Sequence, residues 1–255
     1  MSHDFTNDPY AIITDHLRAW AHGESPPPYR LFAYPTERCN LRCPSCGMTS
    51  GDILPRSEEM DDETFLSIAD QAIELGVREC YLTGGEVMVR KKMMLPFMER
   101  IARAGIRGVL STNGTLFQRE DLQRLVDARW DLLVFSPDGP SPEINDPLRG
   151  RDGAFADTIE AIRTVIELRD ETPDRKPDVD VNMVVSRANA GAIHDMVELC
   201  AGMGVNTFMA EPVVWQWDGC EGMMFDDETR AILREEIPRA AARARELEFP
   251  AAVEF

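Results

Sequence analysis

The sequence predicts an α/β fold, a partial (β/α)6 TIM-like barrel entered through an N-terminal helix, and three observations predict it. After residue 25, short β-rich runs alternate with longer amphipathic runs, the pattern of βα units around a parallel sheet. Six such units can be counted, two fewer than a closed eight-fold barrel, so the sheet should curve and stay open on one side. Each strand is followed by a polar or glycine-rich motif, at the end where parallel barrels carry their working residues.

Taken in order, Asp8-Pro9 opens a helix reaching about His22, because proline's fixed φ and missing N–H suit the first helical position. Ser25-Pro26-Pro27-Pro28 is a stiff connector, and the first strand runs from Tyr29 to Pro35. Asp61 starts a helix that Gly76 ends, and the second strand spans Arg78 to Thr83. The third and fourth strands are Gly108 to Ser111 and Leu132 to Ser136. The turn Arg149-Gly150-Arg151-Asp152-Gly153 leads into a helix from Ala154 to about Leu168, ahead of the fifth strand, Val179 to Val185. A helix from about Ala190 to Met203, with Gly204 past its end, precedes the sixth strand, Asn206 to Ala210. The charged stretch from Asp226 to Leu247 is a last helix, with a kink expected at Pro238. The expected division is residues 1–27 as N-terminal helix and connector, 28–249 as barrel, and 250–255 as a tail, in which Val253-Glu254-Phe255 would begin another strand of a further extension.

At 255 residues with 44% hydrophobic content, the chain can bury one full core, and no apolar run approaches the length of a membrane helix. Met1-Ser2-His3-Asp4-Phe5 has neither the basic patch nor the apolar core of a signal peptide, so a cytoplasmic protein is expected. Six cysteines, three clustered and Cys80, Cys200 and Cys220 scattered, do not read as a disulfide framework. A net charge of −18 opposes binding to a phosphate backbone, so nucleic acid is not expected as a partner, and with no membrane-length apolar run neither is a membrane.

The clustered cysteines are Cys39, Cys43 and Cys46, spaced C-x3-C-x2-C. Thiolates are the usual protein ligands of iron-sulfur clusters, and three of them leave one iron of a four-iron cluster without a protein ligand. A structural zinc site wants four ligands, and the nearest histidines, His22 and His16, sit in the separate N-terminal helix. Zinc and metal-free buried thiols stand beside the iron-sulfur reading as alternatives.

The remaining motifs share a position. The triplet follows the first strand, Thr83-Gly84-Gly85-Glu86 the second, Ser111-Thr112-Asn113-Gly114 the third and Ser136-Pro137-Asp138-Gly139 the fourth. Asn182 and Ser186-Arg187-Ala188-Asn189 lie at or after the fifth, and Glu211-Pro212 after the sixth. Singly these are ordinary turn residues; together they aim at one mouth. In this order they make the chain resemble the radical S-adenosylmethionine (radical SAM) superfamily over roughly residues 28 to 225. The run from Ser136 through Arg149-Gly150 is similar to the branch that carries a SPASM or twitch extension with auxiliary clusters, although no cysteine follows the last helix here. Ser45 stands where an aromatic residue is common in the family, and Val87 where a proline is common.

The resemblance implies that Cys39, Cys43 and Cys46 hold three irons of a [4Fe-4S] cluster and that SAM chelates the fourth, so that an electron from the cluster cleaves SAM and yields a radical that removes hydrogen from an organic substrate, a peptide or a small molecule. Gly84 and Gly85 would let backbone approach SAM, and Glu86 would meet its ammonium. Asn113, Ser136 and Asn182 suit its ribose or carboxylate, and Arg149 or Arg187 its carboxylate. The segment Glu211 to Phe225, with Trp215, Trp217, Cys220, Met223 and Met224, is a candidate substrate lid or else packs across the open end of the barrel or against a further domain, and Cys220 is a candidate hydrogen donor or extra cluster ligand. A flavodoxin- or ferredoxin-type reductant would dock on Arg38, Arg42, Arg90, Lys91 and Lys92. The alternative is a non-catalytic iron-sulfur or zinc-binding scaffold that keeps the fold.

Overall fold

The computed structural model describes residues 9–49, 56–214 and 220–253. Seven strands form one sheet: β1 (Arg30–Ala33), β2 (Glu79–Leu82), β3 (Arg107–Thr112), β4 (Leu132–Phe135), β5 (Asp178–Val185), β6 (Thr207–Pro212) and β7 (Ala251–Ala252). They lie in sequence order and every neighbouring pair is parallel, with β1 and β7 as the two edges. This is the open barrel that the six predicted strands imply, with one difference. The added strand falls on Ala251–Ala252, in register with Phe208 and Met209, and the segment read as a tail completes the sheet beside β6.

The helices are α1 (Pro9–Ala21), α2 (Asp62–Glu74), α3 (Lys91–Arg103), α4 (Arg119–Asp127), α5 (Pro142–Arg149), α6 (Ala154–Asp170), α7 (Ile193–Met203) and α8 (Asp227–Glu246). Their starts follow from side chains that take up free backbone donors. Asp61 accepts from Thr64 N at 2.9 Å and Asp226 from Thr229 N at 2.8 Å. Two helices, not one, separate β4 from β5, and the glycine-rich turn joins them, with Gly150 closing α5 at φ 62°. α7 begins at Ile193 after a 3-10 turn over Ala190–Ala192, and α8 continues as one helix through Pro238.

Alternation along the strands divides the molecule into two faces. On β5, Val179, Val181, Met183 and Val185 are buried beneath the helices, while Asp178, Asp180, Asn182 and Val184 face the inside of the curved sheet. The outer faces of the other strands supply Leu82, Leu110, Phe135 and Phe208 to the same core. Trp130, fully buried after α4, lies so close to β3 that a Cβ on Gly108 would come within 2.4 Å of its ring. Among the described residues no helix is long and apolar enough to cross a membrane.

Candidate active site

The three thiols lie on the loop that follows β1, and two distant glycines hold that loop from opposite sides. Gly85 N donates to Thr36 O at 2.9 Å and Glu86 N to Arg38 O at 2.8 Å. A Cβ on Gly85 would stand 2.3 Å from Arg38 O, so only glycine permits this approach. On the other side Arg42 N donates to Arg149 O at 3.2 Å, and a Cβ on Gly150 would stand 2.2 Å from Arg42 O. The close approach these glycines allow is thus to the cysteine loop itself. Glu59 adds a third hold, accepting from Arg38 Nε at 2.9 Å and Nη2 at 3.0 Å and from the Thr36 hydroxyl.

Cys39, Cys43 and Cys46 line a cleft of about 560 Å³ at the C-terminal ends of the strands. Gly84, Gly85, Asn113, Ser136, Asn182 and Arg149 line it too, so one space gathers most of the residues expected to bind SAM. Asn113 donates to Asn40 Oδ1 at 3.0 Å, and its Nδ2 lies 3.7 Å from Cys39 Sγ. Asn182 donates to Glu211 Oε2 at 3.1 Å, while its Oδ1 is buried with no hydrogen-bond partner. Asn182 and Glu211 also border a second hollow of about 330 Å³ inside the barrel, whose floor carries Arg30 and Arg107, both paired with Glu79.

Three expected site residues lie elsewhere. Glu86 is buried behind the cleft, where its carboxylate accepts from Met88 N (2.9 Å), Asn113 N (2.8 Å) and the Thr112 hydroxyl (2.9 Å). Burial pushes its carboxyl up against the opposing pull of these donors. Arg187 is half exposed, with Nε 3.3 Å from Asp226, and does not line the cleft. Cys220 is fully buried and also absent from the lining. Trp215 and Trp217 fall outside the described residues. Of the basic group, Arg38 is engaged with Glu59, Arg90 with Asp62 and Lys91 with Asp121, while Arg42 bonds the carbonyls of Cys39 and Leu41. Lys92 is exposed.

A partner the sequence did not single out is Asp138, from the Ser-Pro-Asp-Gly motif. Its carboxylate, 4% exposed, accepts from Val184 N at 2.9 Å and lies 2.9 Å from Arg149 Nη2. Arg149 Nη1 in turn lies 3.9 Å from Cys43 Sγ. Burial pushes Asp138 up, opposed by Arg149; burial would lower Arg149, but the Asp138 carboxylate beside it carries it above its usual value. Burial also pushes the Cys39 and Cys43 thiols up, opposed by the Leu41 N–H and by Arg149 respectively. Cys80 and Cys200, buried among apolar side chains, are pushed up to about 12, as inert core thiols are.

The donor set fits a multi-iron cluster better than a single ion. The three thiols border one shared cleft, and thiolates are the usual protein ligands of iron-sulfur clusters. The histidines that zinc would need are engaged on the connector and on α1: His16 with Pro27 O and His22 with Arg18 O, both at 2.7 Å. Beside the thiols, Arg149 Nη2 is committed to Asp138, while its Nε is buried without a hydrogen-bond partner, leaving a donor for an anionic group in the cleft.

Known proteins resemble this chain in sequence and in fold. The model of the radical SAM superfamily matches residues 33–200. The antilisterial bacteriocin subtilosin biosynthesis protein AlbA of Bacillus subtilis is 30% identical over 186 residues, covering 72% of this chain and 39% of that protein. The AdoMet-dependent heme synthase of Methanosarcina barkeri is 35% identical over 182 residues, covering 69% of this chain and 48% of that protein. The chain therefore spans less than half the length of either relative. The crystal structure of Streptococcus suis SuiB superposes with a TM-score of 0.71 at 18% identity over 96% of this chain and 54% of that one, and SuiB has also been seen bound to S-adenosylmethionine and to the precursor peptide SuiA. That likeness establishes the fold. With most of the chain inside the family's model and the three cysteines gathered on one cleft, the chain belongs to the radical SAM superfamily, whose members use a [4Fe-4S] cluster and SAM.

Proposed function

We propose that residues 28–249 form the catalytic barrel of a radical SAM enzyme that cleaves SAM reductively and removes a hydrogen atom from an organic substrate. The observation that carries this reading is the single cleft on which three thiols, two glycines and a largely buried arginine converge. When bound, the cluster and SAM would supply the electron transfer and the radical. The chain's part is to hold and orient them. Cys39, Cys43 and Cys46 hold the cluster, Asn113, Ser136 and Asn182 offer neutral polar groups to SAM, and Arg149 offers its buried Nε to the SAM carboxylate. Glu86 acts one step removed, fixing the backbone of Asn113.

The substrate would enter the hollow below the cleft, which suits a side chain or a small molecule. AlbA and the SuiA-bound SuiB favour a peptide, and the heme synthase a small molecule. The buried free thiols Cys80, Cys200 and Cys220 suit a reducing compartment such as the cytoplasm. Anaerobically reconstituted protein, reduced with dithionite and given SAM, should release 5′-deoxyadenosine, and Cys43→Ala should release none. Protein holding about four irons per chain that releases none would instead be a scaffold.

The electron donor would be a flavodoxin or ferredoxin. The internal ion pairs of Arg38, Arg90 and Lys91 narrow its landing site to the exposed Lys92 and Arg42. Lys92→Gln with Arg42→Gln should slow reduction by flavodoxin and spare reduction by dithionite; equal loss with both donors would remove the docking role.

A further inference from the structure

The Asp138–Arg149 pair is held at the wall of the cleft by contacts that a role as SAM donor does not require. Asp138 is tied down from three elements. Its N–H donates to Asn145 Oδ1 on α5 at 2.9 Å, its carbonyl accepts from Asn189 Nδ2 at 2.8 Å, and its carboxylate accepts from Val184 N on β5 at 2.9 Å. Arg149, the last residue of α5, reaches back to this fixed carboxylate and past it to Cys43. Its main-chain carbonyl meets the same loop, accepting from Arg42 N at 3.2 Å and lying 3.8 Å from Cys43 Sγ. The guanidinium is thus held between a pinned anion, a cluster thiol and the open cleft.

We infer that Asp138 is a positioning residue that holds the charge of Arg149 against Cys43, and that this placement sets how easily the cluster takes up its electron. The inference rests on the reading of Cys39, Cys43 and Cys46 as cluster ligands. A reduced cluster carries one more negative charge than an oxidised one, so a guanidinium beside a ligating sulfur favours the reduced form, through the local charge and hydrogen bonding to sulfur that tune such clusters. Asp138 has the opposite charge, yet its effect through Arg149 dominates because its own carboxylate is already satisfied by Val184 N–H and by the guanidinium.

That ordering gives an unusual sign to test. Were Asp138 only a nearby negative charge, Asp138→Asn would make the cluster easier to reduce. As the anchor of Arg149, its loss should make the cluster harder to reduce, because the guanidinium is released from Cys43.

The experiment is a potentiometric titration of the reconstituted cluster followed by electron paramagnetic resonance, without SAM or substrate, on wild type, Asp138→Asn, Arg149→Gln, Arg149→Lys and the Asp138→Asn/Arg149→Gln double variant. Expected is about a tenfold fall in the ratio of reduced to oxidised cluster at fixed potential for Asp138→Asn and for Arg149→Gln, which is 59 mV for one electron. No further fall is expected in the double variant, and Arg149→Lys should lose less than Arg149→Gln. A rise, or no change, in Asp138→Asn with iron and sulfide at wild-type content would overturn the positioning role. Should Asp138→Asn fail to take up iron, the arginine variants decide: a wild-type potential in Arg149→Gln overturns the inference, and a fall that Arg149→Lys partly restores supports it. A wild-type chain that assembles no cluster overturns the cluster reading and this inference with it, whereas a cluster of unaltered potential in Arg149→Gln overturns this inference alone.

Discussion

Gly85→Ala probes the hold on the cysteine loop directly. The added methyl would stand 2.3 Å from Arg38 O and 2.4 Å from Glu37 O, so loop and strand end must part by roughly 1 Å to reach ordinary contact. Both partners are backbone, so no side-chain rotation relieves the clash. Parting them lengthens Gly85 N to Thr36 O (2.9 Å) and Glu86 N to Arg38 O (2.8 Å) beyond useful range. Overpacking of this kind costs about 1–3 kcal/mol and each lost hydrogen bond about 0.5–1.5 kcal/mol, so the expected destabilisation is about 2–6 kcal/mol. Urea unfolding of the apo chain reads the stability term, and iron content after anaerobic reconstitution reads the loop. Gly202→Ala is the control: it lies in α7 with nothing within 4 Å of its Cβ, and should be neutral or stabilising by up to about 1 kcal/mol. A Gly85→Ala chain with the wild-type urea midpoint and full iron content would refute the account of how the loop is held.

Two further outcomes follow from buried and paired carboxylates. Glu86→Gln places an amide nitrogen against the donors Met88 N, Asn113 N and the Thr112 hydroxyl, stranding at least one buried N–H. It should cost about 1–3 kcal/mol in chemical denaturation and lower SAM affinity through the displaced Asn113. Glu59 is held below the usual carboxylate range chiefly by the Arg38 guanidinium, so its contribution is present above about pH 4.5 and is lost as pH falls through its lower folded-state value. The stability gap between wild type and Glu59→Gln, followed by urea midpoints from pH 7 to pH 3, should therefore be widest at pH 7 and close on acidification; a gap that widens in acid contradicts the pairing.

The strands were legible because each alternates or runs apolar between punctuating turns, and the cysteines because their spacing is local. β7 was not foreseen because two alanines carry neither period nor β preference, and only the neighbouring Phe208–Met209 makes them a strand; Glu254 and Phe255, where a further strand was expected, lie outside the described residues. The joint between α5 and α6 read as one helix entry because Pro147 and the following glycines masked a short helix ahead of them. At the site, what stayed hidden was the commitment of side chains. Glu86 stands beside two glycines of the cleft yet turns inward, because the N–H groups of Met88 and Asn113 converge on it from behind. Arg149 and Cys43 are 106 positions apart, and nothing in either segment alone announces that α5 ends against the cysteine loop. Arg38, Arg90 and Lys91 looked like a surface patch because their acidic partners lie 21 to 30 positions away.

The double clasp on the cysteine loop makes cofactor capture a property of the folded barrel. A short peptide copied from this loop would carry all three thiols and neither of the walls that Gly85 and Gly150 press against it. It would offer the metal a flexible chain with many geometries. Iron loading should thus report on the closure of β2 and α5 against the loop, and a lesion at either place, far in sequence from any cluster cysteine, would present itself as a defect in metal content.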